Sequence, residues 1–223
     1  MYDVKKSLHA VLDTLPSGVR LVAISKFHPA EYIEAAYAEG QRIFGESHEQ
    51  ELRVKHEQLP KDIEWHFIGH LQTNKVKYIA PYVSMIEAVD SLKLLQEINR
   101  QAERCGRVIR VLLELHIAEE ATKYGLTLDA CRELLEGGEW RSMTHVQICG
   151  LMMMASFVDD QEQIRREMQT AADFFDEVKM KYFTNDDAFC ERSWGMSDDY
   201  LIACETRSTM VRIGTAIFGP RIY

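Results

Sequence analysis

Short apolar runs, often β-branched, recur along the chain, and each is followed by a stretch whose apolar residues repeat every three to four positions. This pattern predicts strands that alternate with amphipathic helices. Eight such strand–helix pairs can be placed along the 223 residues. The predicted strands are residues 21–25, 42–44, 65–68, 85–88, 110–116, 146–152, 192–196 and 210–213.

The predicted helices include residues 29–39, 91–104 and 159–181, of which the last has the clearest periodicity. Ser91 stands where an N-cap is expected, because its hydroxyl can accept from the free N–H groups of the first turn. A strict alternation of strands and helices implies a parallel sheet. Eight units fit a closed α/β barrel of the (β/α)8 TIM type better than an open sheet, so one barrel domain is predicted over residues 1–223. The seventh strand is the weakest element of this pattern.

The bulk composition narrows the functional classes. No Pro/Gly/Ser-rich or low-complexity segment divides the chain, which favours a single domain. The formal net charge is -9 and the isoelectric point about 5.4. A nucleic-acid surface needs clustered Lys and Arg to displace counterions from phosphates, so no nucleic-acid partner is expected.

Residues 1–15 mix charged and apolar side chains without a continuous apolar core, which predicts neither a signal peptide nor a membrane anchor. The five cysteines form an odd set without a CxxC pair, a pattern typical of thiols in a reducing compartment. We therefore expect a cytoplasmic protein with no membrane contact, no disulfide framework and no zinc site.

In a (β/α)8 barrel the functional residues lie at the C-terminal ends of the strands. Lys26 follows the apolar run LVAIS, so its amine is expected at the barrel rim, where restricted access of water favours a nucleophile. The same position also suits a lysine that simply emerges into solvent as its strand ends. Position alone favours that second interpretation.

The ends of the seventh and eighth strands indicate an anion site. Gly214 and Thr215 follow the run MVRI directly, and a glycine there lets backbone N–H groups approach a phosphate. The segment SWGMS places Ser193, Met196 and Ser197 on the neighbouring loop, with hydroxyls on both sides of a glycine. Barrel phosphate sites are commonly built from the loops after these two strands.

Other polar or soft residues are interpreted as structural. His66 and His70 would lie about 13 Å apart on an extended strand, too far to share one metal ion. The methionines at 152–154 are interpreted as core filling. The acidic pairs 119–120 and 198–199 are interpreted as solvated charges at helix starts, and the serine before the second pair then has an alternative role as a cap.

Seven segments resemble the YggS family, also called the PROSC or pyridoxal phosphate homeostasis family. They are AISK (23–26), FGES (44–47), WHFIGHLQTNK (65–75), EEATKYGL (119–126), GLMMMA (150–155), WGMSDDY (194–200) and MVRIGTAIFGPR (210–221). The resemblance spans almost the whole chain. It implies the barrel of the alanine racemase N-terminal domain, the fold of fold-type III pyridoxal 5'-phosphate (PLP) proteins.

The resemblance also implies roles for individual residues. Lys26 is expected to hold PLP as a Schiff base, and Arg212 is expected to face the pyridine nitrogen. The phosphate contacts are expected at Ser193, Ser197, Gly214 and Thr215, with Met196 in the same loop.

Two departures from the family pattern affect the rim. Ser47 replaces the asparagine of the usual FGEN, which lies beside the cofactor ring, so a shorter contact is expected there. Met153 and Ser156 change the usual GLMTMAP, and this is expected to remove a hydroxyl from the rim of the sixth strand. Neither departure falls in the lysine or phosphate segments.

Three functional hypotheses follow. The resemblance implies a protein that binds PLP reversibly and buffers or delivers it without substantial turnover, with PLP-dependent apoenzymes as partners and a monomer or weak dimer as the assembly. The alternative is a fold-type III amino-acid racemase, which takes a second proton-transfer group from a second domain of a partner subunit. The chain ends at Tyr223, so we expect no such domain. The third hypothesis is a scaffold protein with a vestigial pocket, which would bind no aldehyde.

Overall fold

The structure is a computed structural model that describes residues 2–117 and 124–221. Its strands are short and mostly apolar, as expected for parallel strands that are covered on both faces. In chain order they are β1 (Arg20–Ile24), β2 (Ile43–Glu46), β3 (Glu64–Phe67), β4 (Met85–Val89), β5 (Ile109–Leu115), β6 (Val146–Met153), β7 (Glu191–Ser193) and β8 (Met210–Ile213).

Within the described ranges these eight strands form one closed parallel barrel, in which each strand pairs with its neighbours in chain order. The barrel closes between β8 and β1, where Val22 lies beside Arg212 and Ala23 beside Ile213. The predicted (β/α)8 barrel is confirmed. Because all strands run in one direction, their C-terminal ends form a single rim and the loops after them share one mouth.

Alternate side chains of each strand divide the core into two layers. In β1, Val22 and Ile24 face the interior of the barrel, where they pack near Met210. Leu21 and Ala23 face outward and join the larger cluster between the strands and the helices. The period of two along the strand thus determines which residues reach the mouth from inside.

The helices cover the outside of the barrel. Ser91 caps its helix as predicted, with its hydroxyl accepting from Leu94 N at 3.3 Å. No helix in the described ranges is long and apolar enough to cross a lipid bilayer. In chain order the helices are α1 (Val4–Leu12), α2 (Ala30–Ala38), α3 (Glu49–Gln58), α4 (Val76–Ile79), α5 (Leu92–Arg104), α6 (Leu128–Gly137), α7 (Gln161–Tyr182), α8 (Tyr200–Glu205) and α9 (Thr215–Phe218).

The seventh strand ends earlier than predicted. The prediction covers residues 192–196, whereas β7 stops at Ser193 and Gly195 adopts a φ of 96°. A Cβ at Gly195 would lie 2.5 Å from the Cβ of Ala203 in α8, so glycine permits both the turn and the close helix contact. This turn brings Met196 and Ser197 to the mouth.

Candidate functional site

Lys26 lies at the mouth of the barrel. Inward side chains alternate along β1, and after Ile24 the next one is Lys26. Phe27 adopts a φ of 63° and His28 N donates to Ser25 O at 3.1 Å, so the chain turns sharply after the lysine. The Lys26 side chain is half-buried. Its amine makes no hydrogen bond or ion pair with any residue that the structure describes.

The surroundings of Lys26 make its amine less basic. Burial and the charge of the Arg221 guanidinium lower the pKa of the Lys26 ammonium, and Arg212 acts in the same direction. Glu46 and Glu51 oppose this shift. A lowered pKa leaves more of the amine unprotonated at neutral pH, which makes it a better nucleophile.

A buried polar network outside the barrel holds the turn that carries Lys26. The ammonium of Lys55 in α3 donates to Ser25 O at 2.8 Å, and to Glu46 Oε1 and Glu51 Oε1 at 2.7 Å each. Ser25 Oγ donates to Glu46 Oε1 at 2.6 Å, and Phe27 N donates to Glu51 Oε1 at 2.7 Å. These bonds fix both the end of β1 and the left-handed residue after it.

Lys26 opens onto a cavity of about 310 Å³ at the mouth, within the size range of small-molecule sites. Lys26, Arg212 and Arg221 bring positive charge to its wall, and Asp198 brings negative charge. This local excess of cations favours an anionic ligand, although the protein as a whole has a net charge of -9. The lining residues are Ile24, Lys26, His28, Ile68, Met154, Phe157, Met196, Ser197, Asp198, Arg212, Gly214, Thr215 and Arg221.

The side of the cavity formed by the loops after β7 and β8 can accept an anion. Gly214 N donates to Ser197 Oγ at a long 3.4 Å. The backbone N–H of Thr215 finds no acceptor within residues 2–117 and 124–221. A Cβ at Gly214 would lie 3.0 Å from Ile24 O, so the absence of a side chain keeps this turn close to β1. Weakly bonded amides and a hydroxyl in one loop pair are the donors that a phosphate requires.

A chain of buried hydrogen bonds crosses the barrel and holds Arg212. The Arg212 Nη1 donates to Ser193 O at 2.6 Å and to Ser193 Oγ at 2.7 Å, and Nη2 donates to Met153 O at 2.8 Å. Ser193 Oγ donates to Glu87 Oε2 at 2.6 Å, and Glu87 Oε1 lies 2.6 Å from His66 Nδ1. The four side chains that form this hydrogen-bond chain are almost completely buried.

Ser47 and Ser193 lie away from the cavity wall, unlike the other predicted site residues. Ser47 is half-buried after β2, with its Oγ 3.4 Å from His48 Nδ1, and the Ser193 hydroxyl proton is donated to Glu87. Ligand contacts by these two serines stay predictions. The predicted residues that line the cavity are Lys26, Met196, Ser197, Arg212, Gly214 and Thr215.

The methionines at the end of β6 have different environments. Met152 and Met153 are fully buried, which confirms core filling for these two. Met153 packs in the outer layer, so the expectation that this position removes a hydroxyl from the rim is wrong. Met154, in contrast, lines the cavity.

The acidic pair after β7 is not uniformly solvated. Asp198 is exposed, as expected. Asp199 is buried and its Oδ1 accepts from Met196 N at 2.5 Å, so the interpretation of Asp199 as a solvated charge is wrong. Its carboxylate instead fixes the loop that carries Ser197. The other acidic pair, at 119–120, lies outside the described residues.

The two histidines near β3 contact different carboxylates. His66 pairs with Glu87 inside the barrel, whereas His70 Nδ1 lies 3.1 Å from Asp90 Oδ2 at the rim. Among the residues with described positions, no group of three or more His, Cys, Asp or Glu could hold a metal ion.

The barrel carries a lysine at the end of its first strand and a candidate anion site at the ends of the seventh and eighth strands, and it is of the alanine racemase type. Residues 4–221 match the family described as alanine racemase, N-terminal domain. The chain is 37% identical over 205 residues to the pyridoxal phosphate homeostasis protein of Aquifex aeolicus, which covers 92% of this chain and 88% of that protein. It is 36% identical over 214 residues to the human protein of the same name, covering 92% of this chain and 77% of that protein.

Comparison with solved structures also places the chain among proteins with this barrel. PipY of Synechococcus elongatus PCC7942, solved with PLP bound, superposes with a TM-score of 0.88 at 32% identity, covering 97% of this chain and all of that chain. Alanine racemase of Clostridium difficile 630 superposes with a TM-score of 0.75 at 14% identity over 98% of this chain and 56% of that chain, which shows a shared fold. The chain therefore belongs to the alanine racemase N-terminal domain family and, within it, to the group whose members are named pyridoxal phosphate homeostasis protein.

Proposed function

We propose that this protein binds PLP reversibly at Lys26 and takes part in PLP homeostasis by buffering the cofactor or delivering it. The observation that carries the proposal is the cavity itself. Its lining contains the Lys26 amine, which has a lowered pKa and no partner among the described residues, together with two arginines and the weakly bonded backbone amides after β8. The names of its relatives and the PLP-bound structure of PipY support the same conclusion.

The residues present fit PLP. Lys26 would bind the aldehyde carbon, while Ser197, Gly214 and Thr215 would hold the phosphate beside Met196, with the Ser193 and Ser47 contacts as further predictions. Arg212 would donate to the pyridine nitrogen. When bound, PLP supplies an electrophilic aldehyde and a conjugated ring that can stabilise negative charge.

We further propose that the protein turns over little substrate. Stabilisation of a carbanion is strongest when the pyridine nitrogen is protonated, which an acidic partner maintains. Arg212 has only donors and stays protonated, so a ring nitrogen beside it stays unprotonated. The relatives' names also favour homeostasis over racemization. We place the protein in the cytoplasm, as a single-domain monomer or weak dimer that exchanges PLP with apoenzymes.

Uptake of PLP by the purified protein tests the binding proposal. We expect a visible absorbance band that disappears on borohydride reduction, and a pyridoxyl group on the peptide that contains Lys26. A colourless protein that takes up no PLP would contradict the proposal, and would favour a scaffold role.

Exchange of the amino-acid α-proton tests the proposed lack of turnover. The holo-protein is incubated with alanine and other amino acids in deuterated water and followed by proton NMR. We expect no loss of the α-proton signal at ordinary enzymatic rates. Rapid exchange that requires Lys26 would instead favour the racemase hypothesis.

A further inference from the structure

A buried hydrogen-bond chain inside the barrel connects side chains from four strands. It joins His66 on β3, Glu87 on β4, Ser193 on β7 and Arg212 on β8, so it links opposite walls of the barrel. Glu87 has no exposed surface, and its two carboxylate oxygens are both occupied, one by His66 and one by Ser193. A buried charge is tolerated only when it is paired and fully hydrogen-bonded.

The protons of this chain can be assigned from the donors available. Burial raises the pKa of Glu87, but the hydrogen bond and charge of His66, together with Arg212 and Ser193, bring it below its ordinary value. Glu87 is therefore an acceptor on both sides. His66 then carries a proton on Nδ1, and the Ser193 hydroxyl proton points to Glu87, which leaves the Ser193 lone pair for Arg212 Nη1.

This arrangement fixes the direction of the Arg212 guanidinium. A guanidinium has five N–H donors. Two of the Arg212 donors are used by Ser193 and one by the carbonyl of Met153. The remaining two have no acceptor among the residues the structure describes, and Arg212 lines the cavity. They are the donors left for a ligand.

Glu87 also balances the charge of Arg212. Its Oε2 lies 4.0 Å from Arg212 Nη1 inside the barrel. Asp199 and Glu114 are the other acids whose charge reaches Arg212. The groups that act on Lys26 are Arg221, Arg212, Glu46 and Glu51. Without Glu87, the Arg212 charge would act on Lys26 and on any bound anion with less opposition.

We propose that Glu87 is a positioning residue of the pocket, which orients Arg212 through Ser193 and balances its charge, and so sets how readily Lys26 loses its proton. This role rests on the proposed PLP site but is a property of the apo-protein. The negative charge of Glu87 limits the positive charge of the pocket. A limited positive charge suits a protein that must release an anionic ligand.

The test is a double-mutant cycle on the apo-protein, with wild type, Glu87→Gln, Arg212→Gln and the double variant. Lys26 is labelled with acetic anhydride over a range of pH, and the label is measured by mass spectrometry of the Lys26 peptide. Loss of a negative charge disfavours the ammonium, so the Glu87→Gln midpoint should fall by about one pH unit, the effect of one charge at roughly 10 Å in an effective dielectric constant near 20. Arg212→Gln should raise the midpoint. The double variant should fall below Arg212→Gln by less than the Glu87→Gln shift measured with Arg212 present, because the part of the Glu87 effect that acts through Arg212 is then lost.

Glu64→Gln is the matched control, because Glu64 starts β3 at the end opposite the mouth and is exposed. Its midpoint should equal that of wild type. An unchanged midpoint in Glu87→Gln would overturn the proposal, as would single shifts that add fully in the double variant, since Glu87 would then not act through Arg212. If Glu87→Gln fails to fold, Ser193→Ala breaks the link between Glu87 and Arg212 while both charges stay in place, and an unchanged midpoint in that variant would overturn the proposal. This test uses no PLP. Failure of the wild type to bind PLP would therefore contradict the proposed function but would leave the result of this test unchanged.

Discussion

Replacement of Lys26 with alanine is expected to abolish covalent attachment of PLP while the barrel stays folded. In the proposed site the Lys26 amine is the nucleophile, so its loss would remove the bond to the aldehyde completely. The fold should survive because the Lys26 amine makes no hydrogen bond or ion pair in the described part of the chain, whereas the network at the end of β1 uses the backbone of Ser25 and Phe27. Absorbance of the PLP-treated variant and its far-ultraviolet circular dichroism measure the two effects.

Lys75→Ala is the matched control for this variant. Lys75 lies at the mouth end of the barrel after β3, but it pairs with Glu49 at 3.3 Å instead of lining the cavity. This control should retain the absorbance band and the borohydride-reducible adduct. A pyridoxyl group found on Lys75 of the wild type, or an adduct that persists in Lys26→Ala, would show that Lys26 is not the attachment point.

The fold could be predicted where a strand is marked by its own apolar residues. The bounds of β8 agree with the prediction and those of β1 differ by one residue at each end, because both are short runs of mostly apolar residues. The end of β2 could not be predicted, since it extends to Glu46, whose buried carboxylate depends on Lys55 from a different element. The helix α1 was not predicted either, although Val4, Leu8 and Val11 share its buried face, because charged residues separate them.

The candidate site, like the fold, could be predicted from the sequence only in part. Lys26, Gly214 and Thr215 could be predicted because the rim of a barrel is defined by where its strands end. Glu87 could not be predicted, since its proposed role depends on a contact with Ser193, 106 positions away in the sequence. Arg221 was missed too, although it belongs to a segment that resembles the family. It reaches the cavity only after α9 has turned the chain back over the mouth.

Pyridoxal without its phosphate is expected to bind at least about 100-fold more weakly than PLP. The phosphate can accept from Thr215 N, Gly214 N and Ser197 Oγ, and hydrogen bonds to a charged group contribute about 1.5–3 kcal/mol each. Two such bonds already correspond to about two orders of magnitude in affinity. Equilibrium titration monitored by absorbance, with PLP and pyridoxal side by side, measures the difference, and inorganic phosphate should compete with PLP.

Gly214→Ala should reduce the affinity for PLP more than the affinity for pyridoxal. The added Cβ would lie 3.0 Å from Ile24 O, so the loop must move away from β1 and carry its amides with it. Gly137→Ala is the matched control, because a Cβ at this position of α6 would meet no atom within 4 Å. Equal affinity of the wild type for PLP and pyridoxal would place the phosphate outside this loop pair. A Gly214→Ala variant that weakens both ligands to the same degree would show that the glycine supports the wall of the cavity and not the phosphate contact, since only a phosphate contact distinguishes the two ligands.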